Sequence, residues 1–110
     1  MQVEQSQGGG VYSYATWFDA LEYMQDEIKK IDFDIAFLGC GAYGLPLASY
    51  IKALGKQALH TGGSTQLLFA IKGRRWEGDG ARVFKEDFWV YPSLDERPKD
   101  YLLVEGGCYW

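Results

Sequence analysis

Residues 34–47 combine a short apolar run, a glycine-rich turn and the beginning of a helix. The apolar run Ile35–Leu38 predicts a buried β-strand, and the glycines after it, Gly39, Gly41 and Gly44, have the G-x-G-x-x-G spacing. Glycines at such a turn let the backbone approach a ligand closely and leave the N–H groups of the helix free to bind an anion. The stretch therefore predicts a strand–turn–helix unit with a nucleotide-type site at its turn.

A second stretch repeats this design. Residues 57–60 predict another short strand, the segment Thr61-Gly62-Gly63-Ser64 follows it, and Ser64 is the expected N-cap of a helix over residues 65–72. A helix over residues 45–54, ended by Gly55, joins the two strands and predicts a parallel, right-handed βαβ unit. Two glycine-rich turns are then expected at the carboxyl ends of neighbouring strands, where they form a cradle of phosphate size.

An amphipathic helix of about 15 residues is predicted before this unit, because apolar residues recur every three or four positions. Thr16 and Asp19 have the spacing of a capping box at its beginning. The apolar stripe consists of Trp17, Leu21, Met24, Ile28 and Ile31.

The predicted fold class is α/β, a small, mainly parallel Rossmann-like sheet flanked by helices, with an irregular C-terminal extension. Residues 1–12 are expected to be a flexible N-terminal tail, and residues 13–110 a single α/β domain. Residues 81–84 and 88–91 are interpreted either as short strands or as the ends of a loosely formed segment, and the apolar residues 101–104 predict a last edge strand. The aromatic end of the chain, residues 106–110, is expected to pack against another part of the protein.

The net charge of −4 argues against nucleic acid as the main partner, because phosphate neutralisation requires a clustered basic face. The tight basic cluster Lys72, Arg74 and Arg75 is interpreted as the solvated end of a helix. No apolar run is long enough for a membrane helix and no signal peptide is recognisable, so a cytoplasmic location is expected. The aromatic fraction of 16% is high for 110 residues and predicts a homodimer that covers part of the apolar surface.

Few side chains carry chemistry that the sequence can assign. Cys40 and Cys108 make neither a disulfide framework nor a zinc site. Asp32 and Asp34 precede the first strand, whereas ligands bind beyond the carboxyl ends of strands, so no metal site is expected. His60 ends the second strand and is a candidate for phosphate binding or acid–base chemistry, with a structural role as the alternative.

The predicted ligand-side residues all belong to the two turns. Cys40 is either a thiol whose pKa is lowered by a helix N-terminus or a small buried apolar residue, and Tyr43 either stacks on a base or sugar or packs in the core. His60 and Thr61 occupy the place of the acidic residue that holds the ribose of NAD, which disfavours NAD. The predicted set is Gly39, Cys40, Gly41, Tyr43, Gly44, His60, Gly62, Gly63, Ser64 and Thr65.

The segments Phe37–Ala48 and Gly55–Gly63 resemble the C-terminal part of bacterial GT-D-type glycosyltransferases and related polysaccharide-biosynthesis proteins. The resemblance covers residues 33–75 and implies a Rossmann-like fold, sugar transfer from a nucleotide donor, and an acidic metal motif on a preceding, larger domain. Nothing before residue 32 matches that motif, which implies a fragment or a chain that needs a partner. The resemblance carries over Gly39, Gly41, Gly44, His60, Gly62 and Gly63 as ligand-side positions, without a catalytic residue.

The sequence thus predicts the binding of a phosphate-containing ligand, a nucleotide or nucleotide-sugar, at the paired turns. No cofactor follows from it, and whether the chain is an enzyme stays open. The alternative is a non-enzymatic homo-oligomeric interaction module on the same scaffold, in which the glycines serve only the backbone.

Overall fold

The computed structural model describes residues 14–78 and 87–110, which contain helices and a two-stranded parallel sheet and form a small α/β fold. The elements in chain order are α1 (Trp17–Lys29), β1 (Ile35–Leu38), α2 (Gly44–Ala53), β2 (Gln57–His60) and α3 (Thr65–Leu68), with several 3₁₀ turns. The chain divides into two compact units. The N-terminal unit contains described residues 14–65, and the C-terminal unit contains residues 66–78 and 87–110.

Helix α1 begins with the predicted capping box. The backbone N–H of Asp19 donates to the Thr16 hydroxyl at 3.2 Å, and the Thr16 N–H donates to the Asp19 carboxylate at 2.9 Å. Met24 and Ile28 of the predicted apolar stripe are buried, but Ile31 lies beyond the end of the helix and is 56% exposed. The helix and its cap are therefore confirmed, with a stripe that is one residue shorter than predicted.

The parallel pair of strands is confirmed with the predicted bounds. Ile35 pairs with Gln57 and Leu38 pairs with His60, so both strands end at the same edge of the sheet. Helix α2 connects them and packs Leu47 and Ile51, which are 1% and 0% exposed, into the core of the N-terminal unit. Gly55 follows α2 with φ 78°, the left-handed conformation expected of a residue that ends a helix.

Helix α3 is shorter than predicted. It covers Thr65–Leu68, and Ala70 then takes a left-handed conformation with φ 55°, which interrupts the helical path. The preceding 3₁₀ turn, Gly62–Ser64, has Thr61 at its N-cap position, so Ser64 is not the N-cap residue.

The C-terminal unit has little regular structure in its described residues. Val90 makes an isolated parallel bridge with Ile71 where a strand over residues 88–91 was predicted. Residues Tyr101–Leu103 form a 3₁₀ turn, so the strand predicted there is wrong. Trp89 and Val104, 9% and 5% exposed, are its buried hydrophobic residues.

Two predictions lie outside the described residues, namely the flexible tail over residues 1–12 and a strand over residues 81–84. Among the helices that the structure describes, none is long and apolar enough to cross a membrane.

Candidate functional site

The two glycine-rich turns lie in direct contact beyond the carboxyl ends of β1 and β2. A Cβ atom built on Gly39 would lie 2.5 Å from Oγ1 of Thr65 and 2.9 Å from the carbonyl oxygen of Gly62. Only a residue without a side chain fits in this space, because real Cβ atoms do not approach other heavy atoms so closely. The structure therefore brings together the two turns that the sequence predicts as one cradle.

Each turn enters its helical segment through a similar backbone conformation. Cys40 (φ −119°, ψ 35°) is followed by Gly41 with φ 52°, and Thr61 (φ −101°, ψ 0°) is followed by Gly62 with φ 56°. A residue near the right-handed helical region followed by a left-handed glycine directs successive N–H groups toward one side and makes an anion-binding concavity. The two turns thus present two concavities of the same type.

The first backbone N–H groups of both turns have no acceptor among the residues that the structure describes. The N–H of Tyr43 donates to Cys40 and that of Ser64 donates to Thr61, which closes the two 3₁₀ turns. Two N–H groups in each turn lie before these bonds and have no acceptor within the described parts of the chain. They belong to Gly41 and Ala42 in the first turn and to Gly62 and Gly63 in the second. An anion placed at either concavity would meet two such donors.

The hydroxyl groups of the second turn differ in their availability. The Thr65 hydroxyl donates to the Gly62 carbonyl at 2.8 Å and lies 2.6 Å from the Thr61 hydroxyl. Because the single hydrogen of Thr65 goes to the carbonyl, Thr61 is the donor of this second bond. Thr65 therefore fixes the turn internally, whereas Ser64 is exposed and its hydroxyl has no partner among the described residues.

The His60 ring lies against the beginning of α2. Its Nδ1 is 3.1 Å from the carbonyl oxygen of Leu38, the residue paired with it across the sheet. A Cβ built on Gly44 would lie 2.2 Å from Cε1 of this ring. Gly44 is thus the residue that makes room for the imidazole, and His60 remains exposed in part.

Cys40 and Tyr43 have environments that limit their chemistry. Burial raises the pKa of the Cys40 thiol, which disfavours the reactive thiolate. Burial also raises the pKa of Tyr43, and the ring of Tyr43 stacks on Trp17 with centroids 4.9 Å apart and planes 5° apart. One face of the Tyr43 ring is therefore covered by the protein itself.

A polar cluster that the sequence did not reveal lies in the C-terminal unit. Arg75 donates from Nη1 to the Glu105 carboxylate at 2.7 Å and to the Tyr109 hydroxyl at 2.6 Å. Gln66 accepts from the Trp76 indole at 3.1 Å and donates to the Tyr109 carbonyl at 2.8 Å.

This cluster corrects the interpretation of Arg75 as part of a solvated helix end, because α3 ends earlier and Arg75 is ion-paired. It also shows what residues 106–110 pack against. A Cβ on Gly73 would lie 2.9 Å from the Tyr109 carbonyl oxygen, and the Arg75 N–H donates to the Cys108 carbonyl at 2.8 Å. The aromatic composition of the last five residues was the sequence signal for this contact.

The chemistry of the turns is that of anion binding. The described residues contain no group of three or more His, Cys, Asp or Glu side chains that could hold a metal ion. Asp32, from the acidic pair before β1, lies 3.3 Å from the ammonium of Lys56. The turns offer a set of backbone donors, one imidazole and the hydroxyl of Ser64, which has no partner among the described residues.

These features define a small α/β protein with two adjacent glycine-rich turns at one edge of a parallel strand pair. No family model, curated protein or solved structure matches the chain.

Proposed function

We propose that the paired turns bind a phosphate-containing ligand, a nucleotide or a nucleotide-sugar. The observation that carries this proposal is the pair of concavities at residues 40–42 and 61–63, each with two N–H groups that have no acceptor in the described part of the chain. Backbone N–H groups at the start of a helical segment are donors that a phosphate group matches in both charge and geometry. Their position beyond the strand ends is where α/β proteins bind ligands.

The properties of the turns favour a ligand with two linked phosphates. The two concavities are adjacent, since Gly39 contacts the Gly62 carbonyl and Thr65 of the second turn. Neither turn contains Lys or Arg, so binding relies on backbone donors rather than on paired charges. A pyrophosphate bridging both turns satisfies more donors than a single phosphate. In this proposal the unit is Rossmann-like, and the chain is a fragment of a glycosyltransferase-like protein, as the sequence resemblance implies.

A thermal-shift panel tests the site directly. The panel contains inorganic phosphate, pyrophosphate, ATP, uridine diphosphate and uridine diphosphate glucose. A ligand that binds only the folded protein stabilises it by about 2.7 kcal/mol at a hundredfold excess over Kd. The proposal requires at least one diphosphate ligand to raise the melting temperature.

The substitution Ala42→Glu provides the matched test. Ala42 is exposed and lies in the first turn before α2, where a carboxylate suits the helix dipole and maintains stability but repels a bound phosphate. The control Ser49→Glu makes the same charge change at an exposed position within α2. Ala42→Glu should abolish the thermal shift and Ser49→Glu should retain it. Equal shifts in both variants, or no shift with any ligand in the unmodified protein, would refute the site.

One observation favours a second function, a homo-oligomeric interaction module. The sheet face formed by Ile35, Phe37, Gln57 and Leu59 carries no charge, and its three apolar residues are 40%, 47% and 47% exposed. An uncharged apolar face can pack on its own copy without like-charge repulsion. Sedimentation of the unmodified chain tests this function.

A further inference from the structure

We infer that Nε2 of His60 accepts a hydrogen bond from a hydroxyl group of the ligand. His60 then recognises the sugar part of a nucleotide or nucleotide-sugar rather than its phosphates. This inference rests on the phosphate site proposed above. The turns would then hold the phosphates and the imidazole would hold the sugar of the same ligand.

The first step is the position of the hydrogen on the ring. Nδ1 of His60 lies 3.1 Å from the Leu38 carbonyl oxygen, and a carbonyl oxygen can only accept a hydrogen bond. Nδ1 therefore carries the hydrogen, and in the neutral imidazole Nε2 holds a lone pair. A backbone carbonyl that fixes Nδ1 in this way is the usual means by which a protein dedicates Nε2 to another partner.

The second step is the orientation of the ring. Three ring atoms, Nδ1, Cε1 and Nε2, would lie within 2.5 Å of a Cβ atom on Gly44. The backbone of α2 thus limits the positions that the imidazole can take, while the bond to Leu38 sets its direction. Nε2 has no hydrogen-bond partner among residues 14–78 and 87–110, and the residue is exposed to solvent. Nε2 is thus an oriented acceptor without a partner in these residues. His60 lies two residues before Gly62 of the second turn and against α2, the helix that follows the first turn.

The third step is the class of group that suits this acceptor. A lone pair repels phosphate oxygens, which are also acceptors, and attracts a hydroxyl hydrogen. Phosphates already have donors in the N–H groups of the two turns. Ribose and hexose rings carry hydroxyl groups next to their phosphates. The imidazole can therefore bind a hydroxyl group of the same ligand whose phosphates the turns bind.

The experiment compares two ligands and two variants. Uridine diphosphate glucose carries the hydroxyl groups of two sugar rings and inorganic pyrophosphate carries no sugar hydroxyl. In His60→Asn, the amide nitrogen can replace Nδ1 as donor to Leu38, but nothing replaces Nε2. In His60→Ala both functions are lost. Affinities are measured by calorimetry, and the melting temperature of each unliganded variant reports the structural role of the ring.

We expect His60→Asn to melt close to the unmodified protein, to bind uridine diphosphate glucose roughly 3- to 10-fold more weakly, as the loss of one neutral hydrogen bond implies, and to bind pyrophosphate unchanged. His60→Ala should show the same affinity change together with a lower melting temperature. An equal loss of affinity for both ligands would overturn the hydroxyl role and indicate a phosphate contact. Unchanged affinity for both would also overturn it while leaving the phosphate site intact. If the unmodified protein binds neither ligand, the phosphate site fails and the role of His60 fails with it.

Discussion

At the scale of single residues, the glycines of the two turns have different physical reasons to be glycine. Gly41 and Gly62 take left-handed conformations that other residues adopt at a cost. Gly39 has a normal φ but lies against Thr65, and Gly44 lies under the His60 ring. The G-x-G-x-x-G spacing predicts the turn correctly, but it cannot distinguish these reasons, because close packing depends on residues far along the chain.

The contact between Gly44 and His60 predicts a change in stability opposite to the one that helix propensity predicts. Gly44 has φ −59° and ψ −50°, so alanine suits its backbone and is favoured in a helix by roughly 1 kcal/mol. The added Cβ would nevertheless overlap the imidazole, and overpacking of this kind costs about 1–3 kcal/mol. Gly44→Ala should therefore lower the free energy of unfolding, measured by urea denaturation.

The double variant Gly44→Ala/His60→Ala separates the effect of helix propensity from the cost of the overlap with the imidazole. Removing the ring removes the overlap, so the effect of Gly44→Ala should become neutral or stabilising in that background. Gly78→Ala is the control, because nothing lies within 4 Å of a Cβ at Gly78. If Gly44→Ala is equally costly with and without the ring, the contact has no energetic importance.

Among the helices and strands, the sequence predicted those that are defined by a local sequence pattern. The strands at residues 35–38 and 57–60 are bounded by glycine or polar residues, and α1 has both an apolar period and a cap. The strand expected over residues 101–104 is wrong because a strand requires a neighbour to pair with, and apolar composition alone does not provide one. The predicted end of α3 was wrong because Ala70 takes a left-handed conformation, which nothing in the local sequence indicates.

The cap of α1 gives a quantitative test at this scale. Thr16→Ala removes the hydroxyl that accepts from the Asp19 N–H and leaves that donor without its partner. The loss of such a cap costs about 1 kcal/mol, which lowers the melting temperature of a domain of about 100 residues by roughly 4–8 °C. Thr16→Ser keeps the hydroxyl and should melt within about a degree or two of the unmodified protein. Equal melting temperatures for the alanine and serine variants would show that the cap does not stabilise the fold.

At the scale of the whole molecule, the sheet has too few strands to cover its own faces. Helix α2 packs against the sheet through Leu47 and Ile51, which are almost fully buried. Phe37 and Leu59, paired across the two strands, are 47% exposed. The aromatic fraction of the sequence predicts a homodimer but indicates no particular face, because strand register decides which side chains share a face and composition does not contain register.

We expect this face to form the centre of a homodimer. A stable interface needs about 800 Å² from each partner, more than four side chains provide, so Phe37 and Leu59 would act as its energetic centre within a wider contact. The chain should then sediment as a dimer at high micromolar concentration, and Phe37→Glu should shift it to a monomer, because the substitution places two like charges in the centre of the interface.

The control for this experiment is Leu45→Glu, which makes the same apolar-to-acidic change at a residue that is 72% exposed on α2. Leu45 is mostly exposed, whereas Phe37 is about half covered, so the melting temperature of each variant is measured as well. A difference between the sedimentation coefficients of two folded variants then reports association and not unfolding. A monomeric unmodified chain, or a Phe37→Glu variant that remains dimeric, would exclude this face as the interface. Since the face and the glycine turns carry different residues, loss of the dimer with intact diphosphate binding would show that the two functions are independent.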